Sequence, residues 1–134
     1  MSWPPRSLRG QLIGCCQLGV LRVALFNRAR IKTVSRHVIE TVTFCLVDGV
    51  SEKQFLEAAE QATAFMTAHP GFVRRRLSCQ DNGAWTEHVE WASMADAKSA
   101  AAEIGLDERA RPFVRAIDGQ SVRITHSELK VSVG

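Results

Sequence analysis

The residues best suited to chemistry lie in the seven-residue stretch Trp85–Trp91, WTEHVEW. Side chains alternate along an extended strand, so His88 and Glu90 would share one face, while Trp85 and Trp91 would share the other. A carboxylate beside an imidazole orients the ring and raises its basicity, which suits a general base working near neutral pH. We therefore predict His88 and Glu90 as catalytic residues. The alternative is a strand with two half-exposed polar residues on its solvent side.

Residues from other segments extend this candidate site. Glu40 is a third predicted catalytic residue, and His126 is a predicted pocket residue together with Trp85 and Trp91. Large aromatic residues at alternating positions more often pack in a core, which is the alternative for both tryptophans. A metal ion would need a third ligand from Glu40, His126 or Glu128, and the PCxxC motif of a zinc deaminase is absent. We predict neither a metal nor a cofactor.

The charge of the chain is unevenly distributed. The whole chain of 134 residues has a net charge of +3 and an apolar fraction of 46%, which fits one globular domain. Residues 1–36 contain seven Lys and Arg residues and no acid, so residues 37–134 carry 10 basic residues (17 − 7) against 14 acidic ones. A domain with this acidic balance is a poor nucleic-acid binder. No run approaches the roughly 20 apolar residues of a membrane span, so we predict no membrane partner.

The cysteines indicate a reducing compartment. None of Cys15, Cys16, Cys45 and Cys79 forms a CxxC pair, so no zinc or redox motif is present. We predict a cytoplasmic protein, the simplest setting for such cysteines.

Residues 1–36 form a basic leader that matches no part of the domain pattern. Arg22 interrupts the apolar run Leu18–Phe26 that a secretory signal would need, and no apolar helix precedes the lipoprotein-like tetrad Leu12–Cys15. An organelle transit peptide is a third alternative. We expect a disordered arm or a start codon assigned too far upstream, and a domain that comprises residues 37–134.

The domain alternates strand and helix patterns. A capping box at Ser51–Gln54 and the breaker His69–Gly71 bound the first helix, and Asp81–Gly83 predicts a hairpin turn. The second helix runs from its cap at Ser93 to Ile104, and a short helical or irregular segment follows at 107–117. The predicted strands are Val38–Val47, Phe72–Gln80, Ala84–Trp91 and Ser121–Val131.

This order, β-α-β-β-α-β, is typical of the α+β ferredoxin-like split βαβ fold. It predicts a four-stranded antiparallel sheet with both helices on one face. We expect the uncovered face to carry too many apolar residues to stay in water, so a second sheet should cover it. Two such sheets would form a homodimeric α/β barrel around a cavity.

Residues 38–131 contain four short motifs: Pro70–Phe72, Asn82–Gly83, Val89–Trp91 followed by Ser93, and Pro112–Phe113. Together they resemble the motifs of the dimeric α/β-barrel superfamily, and within it the antibiotic-biosynthesis-monooxygenase-like (ABM) domain. The resemblance implies a homodimer with a pocket. Members of the superfamily include cofactor-independent oxygenases, haem-degrading oxygenases and isomerases. This chain departs from the haem-degrading branch because Met94–Ile104 lacks a histidine, and it contains no tyrosine for phenolic proton chemistry.

The sequence therefore predicts a small homodimeric α/β-barrel protein with a pocket for a small aromatic or apolar molecule. Cofactor-independent monooxygenation is the candidate activity. The alternative is a non-catalytic module for small-ligand binding or dimerisation, because one fold supports many functions.

Overall fold

The computed structural model describes residues 36–134, and its strands and helices lie in one compact unit that ends at Leu129. The leader predicted at residues 1–36 lies outside the described residues, apart from Arg36, so its nature stays a prediction. No helix among the described residues is long and apolar enough to cross a membrane.

Four strands and three α-helices follow one another in the predicted order. The strands are β1 (Val38–Phe44), β2 (Phe72–Cys79), β3 (Trp85–Trp91) and β4 (Arg123–Glu128). The helices are α1 (Glu52–Ala68), α2 (Met94–Ile104) and α3 (Arg111–Ala116), and a 3₁₀ turn at Gly119–Ser121 precedes β4.

The strands form one sheet in the order β2-β3-β1-β4, and every neighbouring pair is antiparallel. This arrangement confirms the predicted α+β ferredoxin-like fold. The first and last strands are shorter than predicted, ending at Phe44 and starting at Arg123. The reason is local: Asp118 caps the 3₁₀ turn, and its backbone N–H donates to the Cys45 carbonyl, so the chain bends where regular strand pairing would otherwise continue.

The predicted helix and turn signals are present. Ser51 and Gln54 form a reciprocal capping box at the start of α1, and His69 is the C-cap residue at its end. Gly83 has a φ of 86° in the β2–β3 hairpin, a left-handed conformation that favours glycine.

The helix-facing side of the sheet holds the core. On β3 the buried residues alternate strictly, because Trp85, Glu87, Val89 and Trp91 all face the helices. Aromatic rings from strand and helix meet there: the Phe55 ring lies 4.8 Å from that of Trp85 and 5.3 Å from that of Phe113, centroid to centroid. Edge-to-face and offset contacts of this kind add to the stability gained from burial.

The opposite side of the sheet, which we call the open face, differs from the expectation. The register places on it mainly threonine, serine, arginine, histidine and glutamate; Ile39 is its large aliphatic residue among the paired strand positions. The prediction that this face is too apolar to stay in water is therefore wrong. Because side chains alternate strictly between the two faces, the valines, phenylalanine and tryptophans of β1 and β3 lie on the helix side. The threonines lie on the open face.

Gly71, between α1 and β2, allows a close approach of two segments. A Cβ atom built on Gly71 would lie 2.1 Å from Cγ of Asp96 on α2. Asp96 is fixed there because Ser93 Oγ donates to its Oδ2 at 2.7 Å and accepts from its backbone N–H. The backbone of Gly71 also accepts a hydrogen bond from the N–H of Ala92. The glycine thus lets the α2 N-terminus pack on the α1–β2 connection.

We expect Gly71→Ala to destabilise the protein by about 1–3 kcal/mol, because the new methyl group must displace the Asp96 side chain and its hydrogen bonds. Gly105→Ala is the matched control: it has φ −72° and no heavy atom within 4 Å of the added Cβ. That change should be neutral or mildly stabilising. Urea unfolding of both variants measures the difference, and equal stabilities would contradict the close-approach argument.

Candidate functional site

A cavity of about 290 Å³ lies between the helix-facing side of the sheet and the helices. Every layer of the fold contributes to its wall, which is mainly aliphatic and aromatic. Val114 and Ile124 are wall residues and remain more than one third exposed, so the cavity opens to solvent near them. The wall residues used below are Glu40, Phe65, Glu87, Trp91, Val114 and Ile124.

Glu40 on β1 and His126 on β4 form a hydrogen-bonded pair at this cavity. The two residues are directly opposite each other in the β1–β4 register, so their side chains share the helix-facing side. His126 Nε2 lies 2.8 Å from Glu40 Oε2. The carboxylate accepts, so Nε2 carries the proton and the histidine fixes the orientation of Glu40. Glu40 lines the cavity and is mostly buried, with 13% of its side chain exposed.

Glu87 on β3 is a second carboxylate in the cavity wall, and it is paired with Arg75 on β2. Arg75 Nε donates to Glu87 Oε1 at 2.5 Å, and both side chains are less than one tenth exposed. The guanidinium also donates from Nη1 to the Ala59 carbonyl at 2.7 Å and to Thr63 Oγ1 at 2.8 Å. The ion pair therefore ties two strands to helix α1.

Burial raises the pKa of Glu87 above its ordinary value, since desolvation penalises the ionised carboxylate. Arg75 opposes this shift through its charge and hydrogen bond, and the negative charge of Glu40 adds to it. Glu40 and Glu87 are diagonal neighbours on adjacent strands, because Glu87 is opposite Val42. The two carboxylates thus interact across the floor of the cavity.

Trp91 supplies an aromatic wall with an unmet hydrogen-bond donor. The residue is 2% exposed, and its indole Nε1–H is buried with no acceptor among the described residues. Its ring packs edge to face against His69, with 5.3 Å between the ring centroids. A buried polar atom without a partner is uncommon in folded proteins and is costly.

The structure separates the residues that the sequence grouped together. Glu40, Trp91 and His126 lie at or beside the cavity. His88 is exposed on the open face, on the other side of the sheet from the cavity, and makes no side-chain hydrogen bond among the described residues. Glu90 lies on the open face as well.

Glu90 does not orient His88. Its Oε1 lies 2.7 Å from Nδ1 of His37, the residue that precedes β1. Trp85 packs against Phe55 in the core and is not among the wall residues of the cavity. The structure does not test whether these residues act in catalysis, and their predicted roles stay predictions.

Sequence reasoning missed Glu87 and Arg75, although a signal was available. Alternation along β3 already placed Glu87 on the face of Trp85 and Trp91, and alternation along β2 placed Arg75 on the face of Leu77. The hairpin then brings these two faces together. Opposite charges on the apolar faces of two hairpin-connected strands indicate a buried ion pair.

Among residues 36–134, no group of three or more His, Cys, Asp or Glu side chains is arranged to hold a metal ion.

Comparison with known proteins identifies the fold. No model of a protein family matches the chain, and no curated protein matches it in sequence. Among solved structures, the chain is similar to a point mutant of SnoaB, a cofactor-independent oxygenase from Streptomyces nogalater. The two are 16% identical over 72% of this chain and 95% of SnoaB, with a TM-score of 0.59.

Two further structures show the same arrangement. One, from Bordetella bronchiseptica, has a proposed antibiotic biosynthesis monooxygenase activity; it is 16% identical over 72% of this chain and 99% of its own, with a TM-score of 0.56. The other is a dimeric ferredoxin-like protein of unknown function from Jannaschia sp. CCS1, 9% identical over 69% and 99% of the two chains, with a TM-score of 0.53. The chain has the same ferredoxin-like fold as these structures. The resemblance predicted from the sequence is thus confirmed at the level of fold, while identities this low leave the reaction open.

We expect Arg75→Met to destabilise the protein by about 3–5 kcal/mol at pH 7, because it leaves Glu87 buried without a counter-charge. The loss should shrink as the pH falls. Removing Arg75 raises the pKa of Glu87 further, so the penalty is present above that raised pKa and disappears as the carboxyl group protonates. Urea unfolding at pH 7 and pH 5 measures the change.

Arg115→Met is the matched control for this experiment. Arg115 is exposed on α3 and lies neither on the open face nor in the wall of the cavity. Its replacement should change the free energy of unfolding by less than about 0.5 kcal/mol at either pH. A pH-independent loss in Arg75→Met would show that the lost contacts of Arg75 with α1, and not the charge of Glu87, cause the destabilisation.

Proposed function

We propose that the protein binds a small aromatic or apolar molecule in the cavity and oxidises it with molecular oxygen, as a cofactor-independent monooxygenase. The observation that carries the proposal is the Glu40–His126 pair at the wall of an apolar cavity. Glu40 lines the cavity, so its carboxylate can reach a bound molecule, and the hydrogen bond with His126 fixes its orientation. The likeness to SnoaB, a cofactor-independent oxygenase, supports the same reaction class.

Glu40 is the proposed general base because it lines the cavity, and His126 is the proposed positioning residue. Glu40 removes a proton from an acidic CH₂ group of a bound anthrone-type compound. The carbanion adds to O₂, and the peroxide anion takes the proton back from Glu40. Loss of water from the hydroperoxide leaves a C=O group, so CH₂ and O₂ become C=O and H₂O. The substrate supplies all the electrons, and the apolar wall keeps bulk water from the carbanion.

The matched pair Glu40→Gln and Glu90→Gln tests this assignment. Each glutamate pairs with one histidine, at 2.8 Å for Glu40 and 2.7 Å for Glu90, but only Glu40 faces the cavity. We expect Glu40→Gln to lower turnover of an anthrone-type compound by about 10²-fold or more, the usual contribution of a positioned base. Oxygen uptake measures the rate, and His126→Gln should cause a smaller loss.

Variants of the open face test the roles predicted from the sequence. If His88→Gln and Glu90→Gln retain full turnover, the chemistry belongs to the cavity. Loss of turnover in these two, with full activity in Glu40→Gln, would instead assign it to His88 and Glu90. A wild-type protein that binds the compound without oxygen uptake would be a non-catalytic binding protein.

We also propose that the protein is a homodimer that pairs through the open face. The Jannaschia neighbour is described as dimeric, and the described chain leaves this side of the sheet uncovered. Because the face is polar and carries Arg74, Arg76 and Arg123, the interface must be held largely by hydrogen bonds and charges.

We expect sedimentation velocity to show two chains per particle at micromolar concentration, and the dimer to weaken between about 0.05 and 1 M salt, where exposed charges are screened. Thr41→Arg, which adds a like charge at the centre of the open face, should weaken it further. A monomer at every concentration and salt level would overturn the dimer.

A cytoplasmic location is part of the same proposal. Cys45 and Cys79 are free thiols, which fits a reducing compartment.

A further inference from the structure

We infer that the cavity selects an aromatic ligand that carries a protonated amine, in preference to one that carries a carboxylate. This inference names a substrate class for the proposed function and rests on the same cavity. It is carried by the placement of Glu40 and Glu87 in a wall that is otherwise apolar.

The charges around the cavity do not balance. Glu40 and Glu87 are the charged residues of the wall, and each has one cationic or potentially cationic partner, His126 and Arg75. Two carboxylates thus border the cavity, and Arg75 is the one permanently charged cation paired with them among the described residues. Carboxylates in poorly solvated surroundings attract a cation and repel an anion much more strongly than in water.

Arg75 places no positive charge in the wall of the cavity itself. Its Nε is bound to one oxygen of Glu87, and its Nη1 is bound to Ala59 and Thr63. The guanidinium carbon lies 4.9 Å from the centre of the Phe113 ring, and Arg75 is not a wall residue. It therefore pairs with Glu87 on the side away from the cavity. No hydrogen bond among the described residues engages the second oxygen of Glu87.

The shape and chemistry of the wall match an aromatic ammonium ion. Phe65 and Trp91, both almost fully buried, add aromatic surface to the aliphatic wall, so the cavity accepts an apolar body. Two carboxylates can accept the N–H donors of an ammonium group in charge-assisted hydrogen bonds, which are roughly twice as strong as neutral ones. The cavity is at the lower end of the size range of ligand pockets, so the ligand is small.

Three probes of nearly equal shape test the preference. They are 2-naphthylmethylamine, which is protonated at pH 7, the neutral 2-naphthylmethanol, and the anionic 2-naphthoate. Titration calorimetry on the full chain should give a Kd for the amine about tenfold or more below that of the alcohol, with the naphthoate weakest. Equal affinities, tighter binding of the naphthoate, or no binding of any probe would overturn the inference.

The glutamates are then tested one at a time. Glu40→Gln should reduce the amine-to-alcohol preference by about tenfold, while affinity for the alcohol stays within a factor of about two to three. Glu57→Gln is the matched control, because Glu57 is exposed on α1 and is not a wall residue of the cavity, and it should keep the wild-type preference. Because Glu87→Gln disturbs a buried ion pair, its folding is first checked by urea unfolding, and Glu40→Gln carries the test if that variant unfolds. An unchanged preference in Glu40→Gln would overturn the inference.

This binding experiment is independent of the oxygenase proposal. An amine preference without oxygen uptake would leave the ligand class standing and remove the oxidation. Oxygen uptake with an anthrone-type compound and no amine preference would support the oxidation and overturn the ligand class.

Discussion

The buried Arg75–Glu87 ion pair is the interaction that connects the sheet, helix α1 and the cavity. Arg75 reaches from β2 to Glu87 on β3, to the carbonyl of Ala59 and the hydroxyl of Thr63 on α1, and packs over Phe113 of α3. Two charges removed from water are stabilised only when their geometry and hydrogen bonds are good. The pair therefore ties β2 and β3 to α1, and its Glu87 lies in the wall of the cavity.

The Arg75–Glu87 pair does not satisfy all of its own polar atoms. Arg75 satisfies one oxygen of Glu87 and retains a buried Nη2 without a partner among the described residues. Burial raises the pKa of Glu87, and the negative charge of Glu40 adds to that shift. The buried Glu87 carboxyl group therefore gains from binding a proton or a cation.

Strand β1 separates two histidine–glutamate pairs of similar geometry. Glu40 and His126 lie on the helix side, while His37 and Glu90 lie on the open face. Their hydrogen-bond distances are nearly equal, yet only one pair borders an apolar cavity. Structural relatives that include an oxygenase and proteins of unknown function share this sheet, and the fold alone does not select among them.

The order of strands and helices could be read from the sequence because it depends on local signals. The capping box at Ser51, the stop at His69 and the hairpin at Gly83 act within a few residues, and alternation along Trp85–Trp91 correctly divided that strand between two faces. These signals sufficed for the ferredoxin-like fold.

Which residues form a site was decided by the tertiary structure, because contacts between distant strands leave no local trace. His88 and Glu90 are two residues apart, yet Glu90 pairs with His37, which is 53 residues away in sequence. Glu40 finds His126 across 86 residues because β1 and β4 lie side by side in a fixed register. The sequence determined that each strand has two faces; only the packing of α2 and α3 over one of them determined which face borders a cavity, since burial is a property of the assembled layers.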